Sequence, residues 1–253
     1  MLGFGTFLMG GSECEESVLA AIRSGYRMID TAEAYRNEEA VGSAIVKSGI
    51  PREELFLVTK VNFRSYENTR ETVEASLNKL KTSYLDLVLL HWPFGNYYAA
   101  WRELEKMYHE GKIRAIGVSN FGPDRYLDIQ HFAEVKPAVN QIECHPLWNR
   151  KPLIAFCRSH GIAVQAYAPL ARGLYLNREI MQQLAEKYVR TEAQIGLRYL
   201  IQQGISVIPK STQPDRIFAN ADVFDFELSE ADMALIDTMD EQLRSASIPD
   251  DLL

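Results

Sequence analysis

Eight short apolar, β-rich runs, each followed by a segment of helical periodicity, set the tightest limit on what this chain can fold into. The runs lie at residues 2–7, 27–31, 55–61, 85–91, 115–119, 138–143, 163–168 and 206–210. Between them, apolar positions recur at helical spacing over 15–24, 67–81, 98–109 and 153–160, and a further helix is expected near 229–241. Gly25, Gly111, Gly161 and Gly204 close several of the intervening stretches, where a helix end turns left-handed.

The run Leu85-Asp-Leu-Val-Leu-Leu90 is almost continuously apolar, as a parallel strand covered on both faces must be. Strict alternation of strand and helix implies a parallel sheet with right-handed crossovers. Such a sheet either opens into a doubly wound layer or closes into a barrel. The open form announces a dinucleotide with G-x-G-x-x-G after its first strand, but here Gly3-Phe-Gly5 runs on into Thr6, Phe7 and Leu8. The expected fold is therefore α/β, a single (β/α)8 TIM barrel. No linker or low-complexity stretch interrupts residues 1–253, so one domain is expected across them. In barrels the reacting groups sit at the C-terminal strand ends, so polar residues there must converge on one mouth.

A net charge of −7, with lysines and arginines scattered, argues against nucleic acid or an anionic membrane as partner and for a small molecule. No stretch approaches the roughly 18 apolar residues needed to span a bilayer, and Met1-Leu-Gly-Phe-Gly5 is no secretory leader, so a cytoplasmic protein is expected. Nothing demands more than a monomer. Cys14, Cys144 and Cys157 form no CxxC pair and read as reduced, small apolar side chains. Cys144 and His145 are adjacent and should point to opposite sides, so no metal site is expected.

Strand two ends in Asp30, with Tyr35 five residues on; strand three ends in Lys60; strand four ends in His91-Trp92-Pro93. Taken singly, each has an ordinary structural reading, as a cap, an ion pair or a core histidine. Together, on three consecutive strand ends, they describe an acid catalyst. A free tyrosine keeps its proton until about pH 10. The expectation is that the Lys60 ammonium lowers the Tyr35 pKa, that Asp30 keeps Lys60 charged, and that His91 orients the substrate oxygen or relays a proton.

These residues carry a family resemblance. Gly25-Tyr-Arg-Met-Ile-Asp-Thr-Ala-Glu-Ala-Tyr-Arg-Asn-Glu38 resembles the first signature of the aldo-keto reductases. Val58-Thr-Lys60 and Leu89-Leu-His-Trp-Pro93 resemble its lysine and histidine segments. Gly111-Lys-Ile-Arg-Ala-Ile-Gly-Val-Ser-Asn-Phe121, Val139-Asn-Gln-Ile-Glu143 and Ile208-Pro-Lys-Ser211 with Arg216 resemble its later segments, in the right order. The flavour is that of the small prokaryotic-type branch, with diketogluconate reductases and prostaglandin F synthase-like enzymes.

The resemblance implies NADPH-dependent reduction of aldehydes and ketones, with Tyr35 as proton donor, Asp30 and Lys60 tuning it, and His91 orienting the carbonyl. It implies that Ser119, Asn120 and Gln141 hold the nicotinamide carboxamide and that Tyr167 stacks on the ring, with Gly5, Thr6, Asp30 and Leu170 alongside. Lys210, Ser211, Thr212, Arg216 and Asn220, where Pro214 opens a helical turn, become the 2′-phosphate and adenine pocket, hence NADPH/NADP+ over NADH. Phe7, Asn62, Trp92 and His91 become substrate neighbours, with Tyr97 and Trp148 as outer walls. A non-catalytic NADPH-binding member of the family is the alternative, and would show a damaged tetrad or long insertions.

Three departures shape further expectations. Ala219 stands where many members carry a glutamate for the adenine, leaving Asn220 alone. The loop at 168–177 is short, which predicts an open cofactor cleft. Strand one lies almost at Met1 and the chain stops soon after the last helix, which predicts a missing or reduced N-terminal plug and a shallow mouth. A shallow mouth favours small or polar carbonyls such as methylglyoxal, short aldehydes and keto sugars.

Overall fold

The computed structural model describes residues 1–246; residues 247–253, the end of the expected one-domain range, lie outside the described residues. Among the described residues, eight strands pair side by side in chain order, every pair parallel. They are β1 (Gly3–Gly5), β2 (Met28–Asp30), β3 (Phe56–Val61), β4 (Leu87–Leu90), β5 (Ile116–Ser119), β6 (Val139–Glu143), β7 (Ala163–Tyr167) and β8 (Ser206–Val207). The edges meet: Leu2 bridges Val207 in parallel, and the Gly5 amide donates to the Pro209 carbonyl at 3.0 Å. The sheet is thus closed into a (β/α)8 barrel rather than left as an open layer.

Helices α1 (Gly11–Arg23), α2 (Glu38–Ser48), α3 (Thr69–Lys79), α4 (Tyr97–His109), α5 (Pro123–Phe132) and α6 (Lys151–Ser159) follow the first six strands in turn. Two helices, α7 (Glu179–Tyr188) and α8 (Glu192–Gln202), separate β7 from β8, and α9 (Pro214–Ala221) and α10 (Glu230–Asp237) come last.

Several elements are shorter than their sequence pattern, for local reasons. β1 ends at Gly5, where the Thr6 amide makes the last ladder bond to the Asp30 carbonyl and the Thr6 hydroxyl donates to the same oxygen, each at 3.0 Å. β8 stops at Val207 because Pro209 has no N–H to offer a ladder. The helix expected from residue 67 begins at Thr69, since 63–68 winds into a tighter 3-10 segment capped by the Asn62 side chain on the Arg64 amide.

Side chains along a strand alternate between the two faces of the sheet, so the barrel has two cores. Ile29, Leu57, Val88 and Leu90 face outward into the layer shared with the helices, where Trp101 and Leu104 of α4 are buried. Met28, Val58, Leu87, Leu89 and Ile208 fill the interior. The same parity carries these interior files to polar residues towards their C-terminal ends: Met28 to Asp30, Val58 to Lys60, Leu89 to His91, and Val139 to Gln141 and on to Glu143. On β5 the corresponding file passes through Gly117, where a Cβ would sit only 2.7 Å from the Val139 carbonyl oxygen, and ends at Ser119.

Candidate active site

At the interior end of β3, Lys60 is fully buried and its ammonium spends its donors on three neighbours: Asp30 Oδ1 at 2.6 Å, the Thr31 carbonyl at 2.7 Å and Tyr35 Oη at 3.5 Å. The other Asp30 oxygen accepts from Gln141 Nε2 at 2.7 Å, and that same amide reaches Gln165 Oε1 at 2.6 Å. A continuous polar network therefore crosses the barrel interior from β3 to β7. Gln165, two residues before Tyr167 on the interior file of β7, is a site residue that the sequence reading missed. Its parity with Tyr167 is the signal that could have found it.

Tyr35 comes from the loop after β2, where residues Glu33–Tyr35 form a single 3-10 turn ended by Arg36 in the left-handed region (φ 56°). Glu33 ties that turn to the loop after β3, accepting from the Asn62 amide at 3.0 Å and Ser65 Oγ at 2.6 Å. Buried Asn37 ties it to the end of β1, donating to the Thr6 and Met9 carbonyls at 2.8 and 3.0 Å while accepting from Thr31 Oγ1. The Tyr35 ring is held against Phe7 (4.9 Å between centroids) and edge-on to His91 (5.8 Å).

The structure corrects the expected electrostatics of the tyrosine. Burial, reinforced by the Asp30 carboxylate, pushes the Tyr35 pKa well above its ordinary value, rather than Lys60 lowering it. The reason is that the Lys60 charge is neutralised by Asp30 at 2.6 Å and reaches the phenol only at 3.5 Å. Within the ion pair burial pulls Lys60 down and Asp30 up, while each partner opposes the shift in the other, so Asp30 favours the charged form of Lys60 as expected. His91 is lowered to about 3 by burial and by the Lys60 charge, so its imidazole is neutral at physiological pH. Its Nδ1 is buried without a hydrogen-bond partner among the described residues.

The expected carboxamide holders cluster beside this network. Ser119 Oγ donates to the Gln141 carbonyl at 3.0 Å, Asn120 Nδ2 donates to the His91 carbonyl at 3.2 Å, and the Tyr167 hydroxyl donates to Asn120 Oδ1 at 2.8 Å. Asn120 adopts a left-handed backbone (φ 63°), a strained state of the kind that concentrates at working sites.

A cavity of about 620 Å³ opens over these groups. Its walls include Asp30, Tyr35, Asn62, His91 and Trp92 on one side and Ser119, Asn120, Gln141, Tyr167 and Leu170 on the other. Gly5, Phe7 and Lys210 also face it, as do Leu8 and Arg172, which the sequence did not single out. Thr6 departs from expectation: it is fully buried, with its hydroxyl on the Asp30 carbonyl rather than in the cavity. Ser211, Thr212, Arg216 and Asn220 also lie outside the lining, along the approach to α9 and on it. Ser211 Oγ accepts from the Gln213 amide at 3.1 Å as that helix begins, and Arg216 is exposed.

Two expected walls are not walls. Tyr97 is buried at the start of α4, bonded to Asp128 at 2.5 Å and packed on Phe121, because the helix turns it into the outer core. Trp148 stays outside the lining, with the Arg150 guanidinium 4.0 Å from its ring centroid. The mouth is also less bare than expected. After α10 the chain returns across the barrel top, the Glu241 and Leu243 amides bind the Leu147 carbonyl at 3.1 Å, and Ala246 lines the cavity. His145 is occupied as well, sitting 3.1 Å from buried Glu143.

Comparison with known proteins agrees with this construction. The model of the aldo/keto reductase family matches residues 1–241. A glyoxal reductase of Bacillus subtilis is 48% identical, covering 99% of this chain and 92% of the relative. The crystal structure of an aldo-keto reductase from a Medee basin deep-sea metagenome library superposes with a TM-score of 0.93 at 40% identity, covering 98% of this chain and 95% of that one. A Bombyx mori aldo-keto reductase solved in complex with NADP gives 0.92 at 34% identity, with coverage of 98% and 91%. The chain belongs to the aldo/keto reductase family, NADP(H)-dependent oxidoreductases that act on carbonyl groups. No helix among the described residues is long and apolar enough to cross a membrane.

Proposed function

We propose that the protein reduces small aldehydes and ketones to alcohols with NADPH, using Tyr35 as the proton donor. The observation that carries this reading is the Tyr35 side chain, which lines the cavity with the buried Lys60–Asp30 pair directly behind it. The cavity suits the cofactor: an apolar aromatic wall at Tyr167 stands beside Ser119, Asn120 and Gln141, and the cavity runs on to Lys210 near the start of α9. Bound there, NADPH supplies hydride to the carbonyl carbon.

The chain's own residues do the rest. Ser119, Asn120 and Gln141 present amide and hydroxyl groups to the nicotinamide carboxamide, and Tyr167 offers its ring face. Gln165 keeps the Gln141 amide turned to Asp30, beside the groups that would hold the nicotinamide carboxamide. Lys210, Ser211, Thr212, Arg216 and Asn220 supply charge, hydroxyls and helix amides for the 2′-phosphate and adenine. His91, neutral, orients the carbonyl oxygen beside Tyr35 Oη, while Phe7, Asn62 and Trp92 bound the substrate. Because its pKa is raised, Tyr35 Oη still carries its proton when the substrate arrives, and gives it up as negative charge grows on the carbonyl oxygen. The Lys60 ammonium, 3.5 Å away, stabilises the phenolate that this leaves.

The substrate class we propose is the short dicarbonyl and aldehyde group, in line with the name of the Bacillus subtilis relative. We further propose a cytoplasmic, monomeric enzyme built as one domain. NADPH consumption with a panel of short aldehydes, dialdehydes and ketones, alongside Tyr35→Phe, tests the reading. Turnover that requires Tyr35 supports it, and a wild-type protein inert towards every carbonyl contradicts it.

A further inference from the structure

One strongly bonded carboxylate at the mouth has no part in the chemistry so far. Glu143 ends the interior file of β6, in register with Tyr167 on β7, and its side chain is 1% exposed. Its Oε1 accepts from the Ser245 amide and hydroxyl at 2.6 Å each, from the Ala246 amide at 2.9 Å, and faces His145 Nε2 at 3.1 Å. Its Oε2 lies 3.5 Å from Arg244 Nε. Burial raises the carboxyl pKa, but the bonds from His145, Ser245 and Ala246 outweigh it and hold the group below its ordinary value. A buried carboxylate fed by backbone amides about a hundred residues along the chain is a charge-assisted anchor.

What it anchors matters. Ala246 lines the cavity, and the Arg244 guanidinium sits 5.9 Å from the Trp92 ring centroid and 5.7 Å from that of Trp148. Trp92 lines the same cavity beside His91. The segment held by Glu143 thus supplies one wall outright and sets the surroundings of a second.

We propose that Glu143 is the positioning residue for substrate size: its carboxylate pins residues 244–246 across the mouth, so that Ala246 and Trp92 grip the distal end of a longer carbonyl substrate. The proposal rests on the carbonyl-reductase reading of this cavity. A two-carbon dialdehyde carries one carbon beyond the reacting carbonyl, whereas an aromatic aldehyde carries a whole ring, so the longer substrate depends more on the wall that residues 244–246 support. Losing the anchor therefore weakens ground-state binding of the long substrate while leaving the reacting groups in place.

The test compares glyoxal with 4-nitrobenzaldehyde in wild type, Glu143→Gln and Glu143→Ala, using the full chain and saturating NADPH. The expected result is a KM for the aromatic aldehyde raised about five- to ten-fold, comparable to the net worth of one ordinary hydrogen bond, with its kcat and both constants for glyoxal changed less than about two-fold. Tryptophan emission should shift as Arg244 leaves Trp92 and Trp148, and the NADPH Kd should hold. Equal KM changes for both aldehydes, or no change in either KM, would overturn the proposal. Should the Glu143 variants fail to fold, Ala246→Trp on the half-buried segment decides: it should raise the aromatic KM at least as far, and an unchanged KM refutes the wall. Failure of the underlying reading looks different, since wild type would then consume no NADPH with either aldehyde.

Discussion

The two ends of this barrel use the same residue types to opposite purposes. At the base, ahead of β4, Asp86 accepts from Arg52 at 2.7 Å, from the Leu57 amide at 2.9 Å and from Arg114 at 3.2 Å. Arg52 also donates to the Leu55 and Tyr84 carbonyls and to Thr82, and the two guanidiniums lie 4.0 and 3.9 Å from the Tyr84 ring centroid. Those charges stay in touch with water, since the Arg52 and Arg114 side chains are 19% and 55% exposed. At the mouth, Lys60 and Asp30 are dry, the phenol sits at the edge of hydrogen-bond reach, and the His91 Nδ1 has no partner among the described residues. The base spends its charged groups on stitching loops together. At the mouth the Lys60–Asp30 pair is fully bonded, while His91 Nδ1 has no partner among the described residues and Tyr35 Oη lies 3.5 Å from Lys60, which leaves room for the proposed substrate oxygen.

The sharpest way to break this contrast is Lys60→Met. It should cut kcat/KM by about 10³-fold or more and destabilise the fold by about 3–5 kcal/mol, because Asp30 is left buried and unpaired. Steady-state kinetics and denaturant unfolding read the two effects separately. Asp86→Ala at the base should cost stability alone. We expect a loss of about 2–4 kcal/mol, less than for a wholly buried pair because its arginines are partly solvated, with kcat/KM of the folded fraction unchanged within about two-fold.

A subtler test uses pH. His91 is neutral in the folded protein down to about pH 3, whereas an unfolded histidine binds a proton below about 6.5. Between those values the unfolded state holds more protons, so stability should fall as the pH drops from about 6.5 towards 3. Thermal unfolding across that range, repeated with His91→Gln, should show a shallower slope in the variant. Activity should show no histidine inflection between about pH 5 and 8, and Tyr35 should keep its proton to beyond about pH 10. The smallest effect is expected for Gln165→Leu, which frees the Gln141 amide: the NADPH Kd should rise about three- to ten-fold, the cost of one hydrogen bond, with kcat little changed. An unaltered Kd would show that Gln141 needs no second anchor.

How much of this is written in the sequence depends on range. The strand–helix rhythm is local, and all eight strands stand within their apolar runs, with β8 cut short by Pro209, just as α3 is shortened by the 63–68 turn. Asp30, Lys60 and His91 are legible because a polar residue ending an apolar strand is conspicuous. Gln165 and the anchoring role of Glu143 are not, since a glutamine or glutamate within a strand looks ordinary until the parity of the interior file is traced. The return of residues 244–246 to the mouth cannot be read at all, because Arg-Ser-Ala carries no mark of a carboxylate about a hundred residues earlier. The tyrosine pKa defeats a sequence reading for a physical reason: charges counted one at a time miss the burial of the phenol, and also that the Lys60 charge is cancelled by its own partner.

In the proposed reaction the Tyr35 hydroxyl donates the proton. Tyr35→Phe removes one oxygen and keeps the ring against Phe7 and His91. NADPH binding by fluorescence and carbonyl turnover should be measured on the same preparation. The NADPH Kd should be unchanged, with kcat lowered by about 10²–10⁴-fold. Wild-type turnover in a Tyr35→Phe enzyme that binds NADPH normally would contradict it.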